Sequence, residues 1–212
     1  YRAFRVGNVL TTANENLGAE RANNFEGGVT FARDRLSIRG SGFWTGIKNA
    51  IANVTLTATP NLITRQRQNA AFTRSAGIEV EADWRFKRIN LTGGYLFADS
   101  IVTDFPSNPA LIGRMIPQVP RHQGTFQARY GHSTWMIALQ ARGSSEQFDD
   151  DLNQFRLEPY AQFDVFASKR LRERMQIYAA IENLFSSRYS IGRTPIRTVS
   201  SPVNIRIGVR WN

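Results

Sequence analysis

The chain has 212 residues, of which 42% are hydrophobic and none is cysteine, so a disordered chain, a disulfide framework and a cysteine-bound metal are excluded. The mean hydropathy is −0.35, and no run of about eighteen apolar residues occurs, which excludes a bundle of transmembrane helices. The formal net charge is +10, from 27 basic and 17 acidic residues. A basic chain suggests nucleic acid as a binding partner, but the arginines are scattered along the sequence and form no basic stripe.

Nine segments alternate apolar and polar residues with the period of two that is typical of β-strands. In chain order they are 25–31, 36–44, 78–86, 89–97, 125–130, 135–142, 161–168, 175–182 and 203–211. In the last of them, Ile205 and Ile207 share one face with Val209, whereas Arg206 and Arg210 lie on the other. The sequence therefore predicts an all-β chain whose strands have one apolar and one polar face.

The connections between these segments alternate between short and long. Tight turns occur at 33–35, 87–88, 131–133 and 171–174, and long polar stretches occur near 48–70, 102–120, 146–158 and 187–201. Short turns at one end and long loops at the other predict an antiparallel up-and-down meander, the layout of outer-membrane barrels. Soluble sandwiches have Greek-key crossings and do not sort their loops by end in this way.

Aromatic residues of the apolar face flank the short turns. They are Trp84, Phe86, Tyr130, Trp135 and Trp211. Such a girdle is typical of the interface between a membrane barrel and water, although a soluble sheet could use the same rings as core. Single-chain bacterial barrels have an even number of strands, and an open sheet would leave unpaired edges in lipid. Nine strands are therefore expected to be the C-terminal part of a larger barrel.

Five motifs follow one another along nearly the whole chain. They are YRAFRVGN with NENLGAERANNFEGGV (15–29), GFWTGIKNAI (42–51), RSAGIEVEADWRF (74–86), IPQVPRHQGTFQARY (116–130) and IENLFSSRYSIG (181–192). Together with the final strand, they resemble the C-terminal portion of TonB-dependent outer-membrane receptors of the siderophore or cobalamin type. The resemblance implies a barrel of about 22 strands closed by an N-terminal plug, and no enzymatic activity. It also implies active, TonB-energised uptake of a scarce nutrient across the outer membrane of a Gram-negative-type bacterium.

The resemblance further implies a set of partners. These are the TonB complex through an N-terminal region, the plug domain, outer-membrane lipid or lipopolysaccharide, and a metal-chelate or vitamin ligand. Nucleic acid and a cofactor are not expected. In one departure from the family pattern, Asn212 follows Trp211, whereas such barrels commonly end in an aromatic residue.

Loop arginines and aromatic residues are the predicted substrate contacts. Guanidinium groups bind carboxylates or catecholates through charge-assisted hydrogen bonds, and rings pack on the apolar parts of a chelate. The candidates are Arg65, Arg67, Phe105, Arg114, Phe148, Phe155, Arg156, Arg193 and Arg197. Packing between loops, or contact with lipopolysaccharide phosphate, is the alternative for each.

A second set of charged residues is predicted to face the lumen and the plug. They are Arg39, Glu79, Glu81, Asp83, Arg85, Arg129, Arg142, Glu182, Arg206 and Arg210. Polar contacts of this kind can separate when a ligand binds, which transport requires.

Sites for metal or catalysis are sparse. The stretch FDDDLN (148–153) offers three carboxylates that a cation such as Ca²⁺ could use, but a solvated acidic loop tip is the simpler interpretation. His122 and His132 have no spacing that supports a metal site or a catalytic triad. No metal site and no catalytic residue is predicted.

Three alternatives to a receptor remain open from the residues alone. The first is a passive porin-like barrel, which would need no plug. The second is a soluble basic β-domain that binds polysaccharide or nucleic acid, and the third is an outer-membrane barrel enzyme.

Overall fold

A computed structural model describes residues 2–69, 72–106 and 108–211, so Tyr1 and Asn212, with its departure from the family pattern, lie outside the described residues. The strands are β1 (Phe4–Val6), β2 (Val9–Thr12), β3 (Arg21–Arg33), β4 (Leu36–Lys48), β5 (Ile51–Ala58), β6 (Ile63–Asn69), β7 (Phe72–Phe86), β8 (Ile89–Asp104), β9 (His122–Gly131), β10 (Trp135–Ser144), β11 (Gln147–Phe148), β12 (Arg156–Leu157), β13 (Tyr160–Arg172), β14 (Met175–Glu182), β15 (Ser190–Gly192), β16 (Thr198–Val199) and β17 (Asn204–Trp211). A single-turn 3-10 helix spans Pro109–Leu111. Within the described ranges, no helix has both the length and the apolar character needed to cross a membrane.

Nine of these strands form one antiparallel sheet, here called the wall, in the order β17-β14-β13-β10-β9-β8-β7-β4-β3. Each neighbour in the wall is also the next wall strand along the chain, so the predicted all-β up-and-down meander is confirmed. Several strands are longer than the alternation predicts: β7 begins at Phe72 and β8 continues to Asp104. Backbone pairing continues there beyond the apolar band, where the sequence no longer alternates strictly.

The pairing register sorts the wall into two faces. Residues directly opposite each other in an antiparallel pair lie on the same face. Phe31 pairs with Ile38, which pairs with Ala82, and the same register continues through Gly93 to Phe126. Side chains of this apolar face are uncovered within the described chain, with Val29 at 78% and Ile207 at 81% exposure. The wall therefore turns its apolar side chains away from the rest of the chain.

The short turns lie together at one end of the wall. Asp34 and Lys87 adopt left-handed backbone conformations there, with φ of 48° and 53°. The predicted aromatic residues of this end lie on the apolar face. Trp84 stacks on Phe86 with ring centroids 5.6 Å apart, and Tyr130 lies 5.2 Å from Trp135. The register pairs Trp211 with Met175 at the same end.

The long connections at the other end are more ordered than the sequence predicts. The stretch near 48–70 was expected to be a long loop, yet its strands β5 and β6 form a second sheet with β1 and β2, in the order β1-β2-β6-β5. Its central pairing is parallel and places Val9 opposite Ile63. Short pairs also form between β11 and β12, and between β15 and β16. We call these strands, together with segments 105–121, 145–159 and 183–203, the cap.

The buried apolar core of the molecule lies in the cap and at the adjoining end of the wall. Val54, Val102, Phe105 and Leu111 form it with Ala50, and Phe105 is only 1% exposed. This core contains residues of both the cap and the wall, so it fixes the position of the cap together with the hydrogen bonds described next.

Candidate functional site

A cavity of about 520 Å³ lies between the cap and the polar face of the wall. Thr45, Ser75 and Ser100, at the cap ends of β4, β7 and β8, line one side. The register places these three residues opposite one another on the polar face, where the Ser75 and Ser100 hydroxyls are 2.7 Å apart. The opposite side is lined by β5, the segment 115–119 and three consecutive aspartates at 149–151.

The three aspartates are buried, with exposures of 9%, 3% and 7% for Asp149, Asp150 and Asp151. The interpretation of this stretch as a solvated loop tip was therefore wrong. Each carboxylate accepts hydrogen bonds from the cap, and buried carboxylates need such partners. Among the described residues, no group of three or more histidine or acidic side chains has the arrangement of a metal site.

Asp149 joins two of the long connections. Its Oδ2 accepts hydrogen bonds from the Arg193 and Thr194 backbone N–H groups, at 2.8 and 2.7 Å, and from the Thr194 hydroxyl at 2.8 Å. Its Oδ1 accepts one from Gln118 Nε2 at 2.7 Å. One carboxylate thus holds segment 183–203 and segment 105–121 against the acidic stretch.

The hydrogen bonds around Asp149 also set its ionisation. Burial raises the pKa of this carboxyl group, but the bonds from Gln118, Arg193 and Thr194 outweigh burial, and the pKa falls below its ordinary value of 3.8. Asp149 is therefore a carboxylate at neutral pH, which is the form that accepts all four hydrogen bonds.

Of the two following aspartates, Asp151 binds a segment distant in the sequence and Asp150 binds its own loop. Asp151 accepts hydrogen bonds from the Thr55 backbone N–H at 2.9 Å and from its hydroxyl at 2.7 Å, which ties β5 to the acidic stretch. Asp150 Oδ1 accepts from the backbone N–H groups of Gln154 and Phe155, at 2.9 and 2.7 Å, and closes its own loop. The acidic stretch is the node at which the cap segments meet.

Arg65 is the predicted substrate residue that lines the cavity. It is half-buried on β6, and its Nη2 donates a hydrogen bond to the Thr194 hydroxyl at 3.2 Å. Its Nε is buried and lacks an acceptor within the part of the chain that the structure describes. Arg65 therefore contacts Thr194, which itself binds Asp149, and keeps one buried donor without an acceptor among the described residues.

The aromatic candidates lie within the cap. Phe105 belongs to the apolar core, where it packs between segments. Phe148 and Phe155 are half-buried; the Phe148 carbonyl accepts a hydrogen bond from Gln118 N at 2.7 Å, and the Phe155 carbonyl accepts one from Asp149 N at 2.9 Å.

The other arginine candidates lie around the cap. Arg67 is half-buried on β6, and Arg114 is exposed and donates to the Ala110 carbonyl at 3.3 Å. Arg156 pairs with Glu146 at 2.5 Å, Arg193 donates to the Arg156 carbonyl at 3.2 Å, and Arg197 donates to Ser190 Oγ at 3.0 Å. Among the residues that the structure describes, none of these five arginines lines the cavity, whereas Arg65 does.

All ten residues predicted to face the lumen lie on the polar face of the wall. They are Arg39, Glu79, Glu81, Asp83, Arg85, Arg129, Arg142, Glu182, Arg206 and Arg210. All are exposed except Asp83 and Glu182, which are half-buried. Arg206 forms an ion pair with Glu182, and Thr92 donates to Asp83 at 3.0 Å. The polar face thus remains open for contact with another surface.

Sequence reasoning missed Asn183, which begins segment 183–203. It is 2% exposed and left-handed at φ 52°, where asparagine is favoured. Its Nδ2 donates to the carbonyls of Ser187 and Ser201, and its Oδ1 accepts from Ser187 N at 2.8 Å. The signal for it was present in the motif IENLFSSRYSIG, in which an asparagine directly follows an alternating strand.

Comparison with known proteins finds one family. The family model described as TonB dependent receptor-like, beta-barrel, matches residues 2–184. The pesticin receptor of Yersinia pestis is 29% identical over 181 residues, which cover 81% of this chain and 25% of that protein. The pesticin receptor of Yersinia enterocolitica is 28% identical with the same coverage. The chain spans about a quarter of the length of these curated relatives.

Solved structures share the fold of the wall and cap. The siderophore receptor PiuA from Acinetobacter baumannii superposes with a TM-score of 0.76 at 20% identity, covering 94% of this chain and 30% of that one. The ferric yersiniabactin uptake receptor FyuA from Yersinia pestis gives a TM-score of 0.73 at 23% identity, covering 91% of this chain and 30% of that one. At these identities the superpositions establish the fold.

Proposed function

This chain belongs to the TonB-dependent receptor β-barrel family, and from that premise we propose that it forms the C-terminal part of a receptor that takes up a ferric siderophore. Family members are receptors of the Gram-negative outer membrane and not enzymes, and the wall is part of such a barrel. Its apolar face then contacts lipid, its polar face lines the lumen, and the cap lies on the outside.

The dimensions of the apolar band support this placement. Along β7 the band runs from Ala76, which lies beside Trp44, to Phe86 at the short turns. Ten residue steps of about 3.4 Å give a length of about 34 Å. With a strand tilt of about 45°, the band is about 24 Å high, which matches the apolar belt of outer-membrane barrels.

The observation that carries the proposed activity is the cavity beneath the cap. It is bounded by connections that hydrogen bonds hold in place, and it is lined by Arg65, whose buried Nε has no acceptor among the described residues. A guanidinium with an unsatisfied donor suits an anionic oxygen of a chelate. The names of the relatives favour a ferric siderophore over a cobalamin. Arg67, Arg114, Arg156, Arg193 and Arg197 remain proposed contacts for a ligand that enters between the cap segments, as do Phe148 and Phe155.

The polar face of the wall is the proposed contact for a plug domain, and transport is proposed to be energised through TonB. Arg39 lies directly opposite Glu81, with Glu79 and Glu26 beside them. Exposed charges at this density hydrogen-bond readily to a second polar surface and also release it, because contacts that water can replace are individually weak.

Iron uptake tests the proposed activity. A strain that lacks the gene is grown under iron limitation with a panel of ferric chelates, and then complemented with the wild type. At least one siderophore should support growth and accumulation of labelled iron only in the complemented strain. Uptake of none of the chelates, or uptake that persists without TonB, would contradict the proposal; the second outcome would favour a passive barrel.

The variant R65A refines the test. It should weaken binding of the transported chelate about tenfold or more, since a charge-assisted hydrogen bond contributes about 1.5–3 kcal/mol. R33A, at an exposed arginine of the short-turn end and outside the cavity, is the matched control and should change binding less than twofold. Equal affinities for the two variants would exclude Arg65 as a ligand contact.

A further inference from the structure

The cavity beneath the cap differs in charge from the chain as a whole. Among the described residues, four carboxylates and two guanidinium groups line it, which gives the lining a formal charge of −2. The carboxylates belong to Glu20 and to the three aspartates at 149–151, and the cations are Arg65 and Arg74. The chain carries a formal charge of +10, so the cavity is an acidic region of a basic protein.

The hydrogen bonds of these carboxylates come from neutral donors. The three aspartates accept from backbone N–H groups, from threonine hydroxyls and from one glutamine amide. Glu20 Oε1 accepts from the Ile51 backbone N–H at 2.6 Å. Neutral donors satisfy the oxygen atoms without removing the negative charge. Of the two cations, Arg74 already pairs with Asp99 at 2.7 Å, so its charge is offset by a carboxylate of its own.

Apolar side chains supply much of the remaining lining. Ile47 and Val102 contribute from the wall, and Leu111, Ile116 and Val119 contribute from segment 105–121. Pockets that bind small molecules are lined mainly by such side chains, with a few polar groups that set the orientation of the ligand. A ligand that fits this cavity therefore buries hydrocarbon surface against segment 105–121.

We infer that the cavity selects ferric chelates that have hydrocarbon surface and no net negative charge, and that it rejects polyanionic ones. A ferric trihydroxamate is a chelate of the selected kind, because each of its three hydroxamates cancels one charge of the ferric ion. A ferric tris-catecholate is of the rejected kind, because each catecholate carries two negative charges and the complex keeps three. The inference names the substrate class of the same cavity and therefore rests on the proposed function.

Electrostatic repulsion is the physical basis of this selection. A polyanion that enters the cavity gives up hydrating water and approaches carboxylates of like charge, and such juxtapositions are strongly unfavourable. Walls of low polarity strengthen the repulsion, because they replace the water that would screen it. A neutral ferric complex avoids this cost, and its coordinating oxygen atoms still accept a hydrogen bond from Arg65.

The test compares one chelate in three charge states on the full-length receptor, purified in detergent. A linear ferric trihydroxamate with a free terminal amine carries one positive charge; acetylation of the amine makes the complex neutral, and succinylation makes it singly negative. Affinity should fall along this series, with the amine form bound about tenfold or more tightly than the succinylated form. Raising the ionic strength from about 0.1 M to about 1 M should narrow the difference, since the Debye length falls from about 10 Å to about 3 Å.

Two variants remove charge from the cavity, and a third is their control. D151N removes one negative charge, and its amide can still accept from the Thr55 N–H and donate to the Thr55 hydroxyl. It should narrow the difference between the amine and succinylated forms about twofold or more. E20Q, at an exposed position, keeps the acceptor for Ile51 N–H and should act in the same direction if D151N does not fold. E173Q, at the short turns and outside the cavity, should leave the difference unchanged.

The panel of ferric chelates used for iron uptake gives an independent result. The chelates that support growth should be neutral or positively charged, whether or not a trihydroxamate is among them. Uptake of polyanionic chelates alone would overturn the inference while leaving the proposed function intact. Equal affinity for the three charge states, or tightest binding of the succinylated form, would also overturn it. A receptor that takes up no chelate of any charge would instead contradict the proposed function, and the inference with it.

Discussion

The wall and the cap are each stabilised by a different kind of interaction. The wall has a continuous backbone ladder in which strands adjacent in the chain are adjacent in space, and its apolar side chains face lipid. The cap joins segments far apart in the chain through a small apolar core and through carboxylates that accept backbone hydrogen bonds. The part that spans the membrane is therefore specified by local alternation, whereas the part proposed to receive the ligand is specified by a few long-range contacts.

The largest expected effect is on the wall, from a charge on its lipid face. V29R places an arginine near the middle of the apolar band and should lower the free energy of unfolding by about 2–4 kcal/mol. T30R, the next residue along β3 but on the polar face, is the matched control. Urea unfolding of the barrel in lipid vesicles measures both variants, and equal destabilisation would contradict the assignment of faces.

The next effect is confined to the cap. D149A leaves Gln118 Nε2 and the N–H groups of Arg193 and Thr194 without their acceptor and should destabilise the cap by about 2 kcal/mol. Hydrogen exchange should rise in segments 105–121 and 183–203 while β7 and β8 stay protected. Faster exchange throughout the wall would show that cap and wall unfold as one unit.

A similar but smaller effect is expected at the junction of cap and wall. N183A removes three side-chain hydrogen bonds and puts alanine at φ 52°, which together should cost about 1–2 kcal/mol. N183G keeps the conformation and loses only the hydrogen bonds, so it should be less destabilised. Limited proteolysis of segment 183–203 reports the difference; a glycine variant that is cleaved faster than the alanine variant would contradict the role of the backbone conformation.

The smallest expected effect is a dependence of the stability of the cap on pH. The pKa of Asp149 is lower in the folded protein than its ordinary value of 3.8, because hydrogen bonds to the carboxylate outweigh its burial. The stability that this group contributes is therefore fully present above about pH 4 and is lost as the pH falls through the folded pKa. Exchange in segment 183–203 should accelerate in that acidic range for wild type, and D149N should show no such transition. An acid transition of the same size in D149N would assign it to other groups.

The wall could be predicted from the sequence because each strand shows its own two faces. Ile205, Ile207 and Val209 identify the lipid side of β17 without reference to any other strand. Turn lengths then gave the meander, and all ten residues expected to face the lumen lie on the polar face. The strand ends were misjudged: near the cap, pairing extends beyond the alternating residues, and at the short turns β13 continues to Arg172, inside a predicted turn.

The cap could not be predicted in the same way. After Ile63, the sequence ITRQRQN of β6 is entirely polar, and its pairing with β2 joins segments that are more than fifty residues apart. The burial of Asp149 depends on Gln118 and Thr194, which no local pattern connects to it. For this reason an acidic stretch that looks solvated in sequence is a buried node in the structure.

The aspartates of this node mostly accept hydrogen bonds from backbone N–H groups at positions 154, 155, 193 and 194. Every residue type except proline carries such a donor, so most side chains of the outer segments can be exchanged without releasing their anchor. The exposed chemistry of these outer segments can then diverge among related sequences while the chamber that they bound keeps its shape.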